Sequence, residues 1–242
     1  MTFANLEPRV PEFSSNLEKT KEKLSPDFPW YPYSTMPNIS HLKPLFSEQT
    51  LDFTGTKLSI ADIGCADGAL AFFMERQGHH VDAYDFGPTN MNGMRGVKAL
   101  KTALESQIGI YEMDLDSQFN VQKKYDFIFL LGILYHLKNP FYVLEKLSKH
   151  TKYCAISTRT IQVPTRFGPN VERYALAYLA DPTESNNDAT NFWFFTVPGI
   201  HRCAERAGWN VVSSITLGEN ISANPQDPDK DQRTFSLLKS RL

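Results

Sequence analysis

The sequence predicts an α/β protein: a doubly wound, mostly parallel seven-stranded sheet with helices on both faces, a Rossmann-like arrangement preceded by an N-terminal extension. Three observations carry this. From Lys57 onward, apolar strand-like runs alternate with helical patterns. The stretch "YDFIFLL" (Tyr125–Leu131) is apolar without alternation, as in a strand buried on both faces. A glycine-containing turn, "DIGCADG" (62–68), joins the first apolar run to the first helical pattern.

The elements follow in order. Residues 1–50 form the extension, whose proline-rich, aromatic "FPWYPYSTMPN" is expected to fold over the mouth of the cleft as a lid, or else to pack as a structural wrap on the sheet edge. In it, "NLEKTKEKL" (Asn16–Leu24) mixes charge signs at helical spacing and reads as a solvated helix. "SPDFPWYPYSTMPN" contains four prolines, which forbid a regular helix or central strand. "ISHLKPLFSEQTL" is a short helical segment. The domain proper spans 51–242. Leu58–Asp62 is a strand, and Gly68–Gln77 is a helix closed by Gly78. Val81–Asp85 is a strand, Asn90–Leu104 a helix and Ile108–Met113 a strand. After Tyr125–Leu131, Asn139 is the cap and Pro140 the first residue of a helix. Tyr153–Ser157 is a strand. Residues 160–190 are an irregular connection, too long for a simple loop, and functional or partly helical at "VERYALAYL". Thr196–Ala207 is a helix ended by Gly208, and Trp209–Thr216 and Thr234–Lys239 are the last strands.

Composition narrows the class. A chain of 242 residues with 41% hydrophobic and 21% charged content suits one globular domain with a full core. Three scattered cysteines, Cys65, Cys154 and Cys203, fit reduced thiols in a cytoplasmic setting. No apolar run is long enough for a transmembrane helix, and the N-terminus does not read as a signal peptide. A net charge of −2 and a pI near 6.3 weaken nucleic-acid and anionic-membrane readings.

The glycine turn points to a cofactor bound at the carboxyl ends of the strands. A dinucleotide fold wants G-x-G-x-x-G, and only Gly64 and Gly68 are present, so an NAD-type oxidoreductase is the alternative for the fold. No phosphate-binding lysine follows the turn. Asp62 and Asp67 are poor company for a pyrophosphate and suit a cofactor that is cationic and lacks phosphate. S-adenosylmethionine has these properties.

On these residues the chain resembles the class I S-adenosylmethionine-dependent methyltransferases. "DIGCADG" matches their first motif, which places Asp62, Gly64, Cys65, Ala66 and Gly68 at the cofactor. The resemblance implies that Asp85, with Phe86 beside it, accepts hydrogen bonds from the ribose hydroxyls. It places Asp114 near the adenine amine, with Met113 packed on the adenine face. Leu131 and Gly132, after the fourth strand, lie beside the transferred methyl in such enzymes.

"GILYHLKNP" also looks like the corresponding loop of the tRNA wobble-uridine carboxymethyltransferases and their relatives. The resemblance puts Tyr135 in the cofactor site, and Tyr135 with His136 is the candidate catalytic pair. It covers the catalytic domain alone, because those enzymes carry a longer, more basic N-terminal region. His136 suits accepting a proton from a hydroxyl nucleophile near neutral pH, or else is hydrogen-bonded into its loop. Arg159, Asn191, Tyr31 and Tyr33 are the candidate substrate-binding residues, and His79–His80 has no companion at metal spacing. The expectation is a cytoplasmic enzyme that methylates a hydroxyl or similar nucleophile of a small-molecule acceptor. Its alternatives are a tRNA-modifying transferase and a non-catalytic S-adenosylmethionine-binding domain. Nucleic acid is disfavoured as a partner, no membrane is expected, and oligomeric state is not legible.

Overall fold

The structure is a computed structural model that describes residues 3–46, 51–121, 123–218 and 221–242. The chain divides into two compact units, Met1–Asp114 with Asn120–Phe129, and Leu115–Phe119 with Leu130–Leu242. The expected boundary after residue 50 abuts residues 47–50, which lie outside the described residues, as does part of "SEQTL".

The first unit begins with helices α1 (Val10–Leu24) and α2 (Asn38–Leu42). It continues with β1 (Ser59–Ile63), α3 (Ala69–Arg76), β2 (His80–Asp85), α4 (Arg95–Ala103), β3 (Gly109–Glu112) and the first five residues of β4 (Tyr125–Leu131). The strands are parallel in the order β3-β2-β1-β4, with Asp62 level with Ala83 and Asp85 level with Glu112. Ile60, Ala61, Ile63, Phe127 and Phe129 are buried, as the unalternating runs demand. α1 is not wholly solvated. Phe13 and Leu17, one turn apart, are buried, and Phe13 meets the Phe73 ring edge-on at 5.2 Å. α4 starts at Arg95 rather than Asn90 because the Asn90 carbonyl oxygen of the side chain accepts the Asn92 and Met94 N–H groups, holding 90–94 as a turn.

The second unit holds the end of β4, α5 (Pro140–Ser148), β5 (Thr151–Thr160), β6 (Ala177–Leu179), α6 (Glu184–Asn187), β7 (Trp193–Phe195), α7 (Val197–Arg206), β8 (Trp209–Gly218) and β9 (Gln232–Ser240). β9 runs antiparallel to both β5 and β8. The described residues contain nine strands rather than seven. The extra two form a short antiparallel hairpin, β6 with β7, and β7 joins the end of β5 at Phe195 and Thr160. "VERYALAYL" is therefore not helical. Its last residues alternate in exposure and take backbone partners from Trp193–Phe195. Asn139 precedes α5 but makes no side-chain cap; its backbone N–H goes to the Asp116 carboxylate at 2.7 Å. Thr196 does cap α7, accepting the Gly199 N–H at 3.1 Å. Among the described residues no helix is long and apolar enough to cross a membrane.

Candidate functional site

In the first unit the turn between β1 and α3 is built from left-handed residues: Gly64 at φ 77°, Ala66 at φ 53° and Gly68 at φ 82°. Glycine supplies that conformation without strain, whereas Ala66 needs support. Asp85 gives it. One carboxylate oxygen accepts the Ala66 N–H at 2.8 Å and the other accepts the Phe86 N–H at 2.8 Å. The Asp85 carbonyl accepts the Met113 N–H at 2.8 Å, which links the ends of β2 and β3. Asp85 and Phe86 are partly exposed, Met113 is buried, and Asp114 is partly exposed beside it.

Asp62, at the end of β1, is buried, and its Oδ2 has no hydrogen-bond partner among the described residues. Burial, with the Asp85 carboxylate nearby, pushes its pKa up to about 7. Burial raises Asp85 as well. The Cys65 thiol is pushed well up by burial and by Asp85, so it is held neutral. These two neighbouring acids, both desolvated by burial, have no cationic partner among the described residues, and one of them has an unpartnered oxygen. They fit a cofactor bearing an ammonium and a sulfonium and no phosphate. The orphaned Asp62 oxygen is the observation that supports this fit.

Asp67 departs from the expectation. It is buried, and its carboxylate accepts hydrogen bonds from the Tyr31 N–H and the Asn92 amide, both at 2.8 Å, with the Lys21 ammonium at 3.8 Å. Its charge is taken up by the chain itself.

In the second unit, Gly132 follows β4 with φ 74°, and its N–H meets the Ser157 hydroxyl at 2.9 Å. A Cβ there would stand 3.5 Å from the Arg233 guanidinium and 3.7 Å from the Tyr135 hydroxyl. Leu131 is buried just before it. Tyr135 and His136 lie on a single 3-10 turn, their rings 4.2 Å apart. Residues 190–192 run along them. The Phe192 N–H donates to the Tyr135 carbonyl at 2.7 Å, and His136 Nδ1 lies 3.1 Å from the Thr190 carbonyl. The Thr190 hydroxyl, 3.0 Å from the same nitrogen, gives its proton to Asp188, and a carbonyl can only accept, so the proton of His136 is assigned to Nδ1 and the lone pair to Nε2. Burial lowers the His136 pKa, and Arg233 and Arg159 lower it further against the opposing Thr190 and Asp188.

Arg159 does not offer a free charge. It pairs with Asp231 at 2.8 Å, bonds Ser185 and lies over the Phe194 ring. The available cation is Arg233, level with Arg159 across the β5–β9 pair. Its guanidinium stands 5.4 Å from the Tyr135 ring centre, and no carboxylate lies within ion-pair distance of it among the described residues. Sequence reading missed Arg233, since only the register of β9 against β5 brings it to this cluster. Asn191 is buried. Its Nδ2 faces the Asp188 and Ser185 carbonyls at 3.2 and 3.5 Å, which fixes the amide orientation and leaves Oδ1 with no partner. Of the expected substrate residues, Arg159 and Asn191 thus gather with Tyr135 and His136. Tyr31 belongs instead with the β1–α3 turn of the first unit, and Tyr33 is 82% exposed.

Comparison with known proteins decides the family. A methyltransferase-domain model matches residues 35–214. The chain belongs to this methyltransferase family. S-adenosylmethionine is the cofactor that membership implies. Over 183 residues the chain is 27% identical to the tRNA U34 carboxymethyltransferase of Aliarcobacter butzleri (strain RM4018), a match covering 73% of this chain and 56% of that protein. The methyltransferase therefore spans a little over half the length of this curated relative. An S-adenosylmethionine-dependent methyltransferase from Mesorhizobium loti superposes with a TM-score of 0.58 at 16% identity, covering 78% of this chain and 94% of that one. The N-terminal domain of EvdMO1, solved in the presence of SAH and D-fucose, superposes with a TM-score of 0.55 at 16% identity, covering 94% and 97%. At such identities these two structures speak for the methyltransferase fold.

Proposed function

We propose that this methyltransferase moves the methyl group of S-adenosylmethionine to a hydroxyl, or a similar nucleophile, of a small-molecule acceptor in the cytoplasm. The observation that carries the cofactor half is the buried, unpartnered Asp62 oxygen at the base of a turn braced by Asp85. When bound, S-adenosylmethionine supplies a sulfonium-activated methyl group. Asp62 in its ionised form offsets the cofactor's ammonium. Each Asp85 oxygen spends one lone pair on the backbone, which leaves capacity for the two ribose hydroxyls. The turn from Gly64 to Gly68 brings backbone close to the ligand, and Met113 with Asp114 serves the adenine.

The acceptor half rests on the cluster in the second unit. His136 is neutral and presents Nε2 as an acceptor for the proton of a hydroxyl. Asn191 Oδ1 is a second acceptor awaiting a donor. Arg233 and Tyr135 add a positive charge and a phenol. Two acceptors beside the Arg233 charge suit a hydroxyl-bearing, non-cationic molecule. D-fucose, named with the EvdMO1 domain, is a molecule of that kind.

A second reading is favoured by the 27% identity to the tRNA enzyme: carboxymethyl or methyl transfer to a wobble uridine. Against it, 25 basic residues face 27 acidic ones, without a dense basic run. Incubation with methyl-labelled S-adenosylmethionine, a small-molecule extract and bulk tRNA tests both readings. Label in a small, acid-soluble product supports the proposal. Label in tRNA, with binding that falls steeply with salt, overturns it in favour of the second reading.

A further inference from the structure

The proline-rich segment between α1 and α2 has no helix or strand of its own, yet it is fastened to the cofactor turn at several points within the first unit. The Tyr31 N–H donates to Asp67 Oδ2 at 2.8 Å. The Tyr31 hydroxyl accepts the Met91 N–H at 3.0 Å. The Asn92 amide donates both to Asp67 Oδ1 at 2.8 Å and to the Pro29 carbonyl at 3.2 Å. Lys21 reaches Asp67 at 3.8 Å and lies 5.6 Å from the centre of the Trp30 ring, and Arg95 stacks its guanidinium on Phe28 at 4.9 Å. Gly96 belongs to the same device, since a Cβ there would run into the Asp67 carboxylate and the Asn92 amide.

Asp67 therefore sits inside the glycine turn but looks away from it in chemical terms. Its partners are the segment at 29–31 and the loop at 91–92. The loop holds the Tyr31 hydroxyl through Met91 and the backbone before it through Asn92. The loop begins six residues after Asp85, the residue assigned above to the ribose. The Tyr31 hydroxyl accepts from Met91 and so has its own proton left to donate; among the described residues no protein acceptor takes it.

We infer that Tyr31 is a cofactor-binding residue rather than an acceptor-binding one, with its hydroxyl donating to the nucleoside part of the cofactor, and that Asp67 is the positioning residue that holds it there. The inference rests on the cofactor reading proposed above. The charge environment agrees with it. Burial pushes the Tyr31 pKa up to about 12, with Asp85, Asp67 and Cys65 as the groups whose charge it feels, so the phenol stays a proton donor across the physiological range. A donor is the useful partner beside Asp85, which can only accept while ionised.

Calorimetric titration of S-adenosylhomocysteine into the full chain, as wild type, Tyr31→Phe, Asp67→Ala and the double variant, tests this. Each single variant is expected to weaken binding by about 2- to 12-fold, the range for losing one hydrogen bond. If Asp67 acts through Tyr31, the double variant binds no worse than the weaker single one. A purely structural Asp67 gives losses that multiply, and that result overturns the positioning role. Wild-type affinity in Tyr31→Phe overturns the binding role. Should Asp67→Ala fail to fold, Asn92→Ala replaces it in the same cycle, because it removes the other half of the Asp67 clamp. Failure of the wild type itself to bind S-adenosylhomocysteine overturns the cofactor reading, and with it this inference.

Discussion

Asp85 accepts the Ala66 N–H at 2.8 Å, so the acid that ends β2 holds the middle of the turn that follows β1. The bond explains how a residue with a Cβ stays left-handed between two glycines. It makes Asp85 a structural brace as well as the proposed cofactor group, and the two roles separate experimentally.

The turn itself is the first place to look. Gly68→Ala forces an alanine to φ 82° and drives its Cβ to 2.7 Å from Val97 and 2.9 Å from Phe72. The expected cost is about 1–3 kcal/mol of stability in denaturant unfolding. Ala66→Gly removes strain at φ 53° and is expected to be neutral or mildly stabilising. A Gly68→Ala protein as stable as the wild type contradicts the described turn.

Asp62 predicts a pH dependence. Its folded-state pKa of about 7 lies above the ordinary 3.8, so the folded chain holds this proton more tightly than the unfolded chain. The resulting stability is fully present below about pH 4 and is lost as pH rises through about 7. His79, His136 and His201 are lowered by burial and act in the opposite sense, losing stability as pH falls through their ordinary value. The difference between the wild type and Asp62→Asn isolates the carboxyl. In thermal melts without ligand, the wild type should fall relative to Asp62→Asn as pH rises. Parallel profiles contradict the buried, unpartnered carboxyl.

A buried network in the first unit gives a stability test away from the cofactor. The Tyr125 hydroxyl donates to Asp82 at 2.6 Å and lies 2.5 Å from the Tyr84 hydroxyl, and Lys123 pairs with Asp82. Burial and the Asp82 carboxylate push the Tyr125 pKa strongly upward, so the phenol stays neutral. Tyr125→Phe leaves the Asp82 charge paired by Lys123 but removes its buried donor. A loss of about 1–3 kcal/mol in equilibrium unfolding is expected.

Much of this was legible in the sequence. The alternation of strands and helices and the Asp62–Gly68 turn follow from local patterns, while Asp85 and the loop with Tyr135 and His136 are singled out by the family resemblance, each at a point where a strand ends and the backbone must turn. What stayed hidden depends on pairing between distant segments. The hairpin of β6 and β7 forms because Ala177–Leu179 finds Trp193–Phe195, and no period in "VERYALAYL" announces that partner. Arg233 comes level with Arg159 only through the β5–β9 register, and Asp231 reaches Arg159 across the same pair of strands. The sequence offered Arg159 as a candidate substrate-binding residue, whereas the fold pairs it with Asp231 and leaves Arg233. Asp67 likewise reads as a cofactor acid until Tyr31 and Asn92 occupy it.

The His136 geometry predicts its ionisation. With Nδ1 facing the Thr190 carbonyl, nitrogen-15 spectra should show the neutral Nδ1–H tautomer and a pKa below the ordinary 6.5. Arg233→Gln removes one of the charges that hold the ring neutral and should raise that pKa. A protonated ring at neutral pH contradicts the proposed role of His136 as a proton acceptor.

The central claim is that Asp85, at the end of β2, holds S-adenosylmethionine. Calorimetry with S-adenosylhomocysteine on the wild type, Asp85→Asn and Asp85→Ala, alongside NADH as a control, measures it directly. Binding of S-adenosylhomocysteine but not NADH is expected, and Asp85→Ala should lose roughly 1.5–3 kcal/mol, about 10- to 150-fold in affinity. Asp85→Asn keeps one oxygen to brace Ala66 and should fold like the wild type in thermal melts while still binding more weakly. An Asp85→Ala protein that binds S-adenosylhomocysteine as tightly as the wild type, or a wild type that binds NADH instead, contradicts the account.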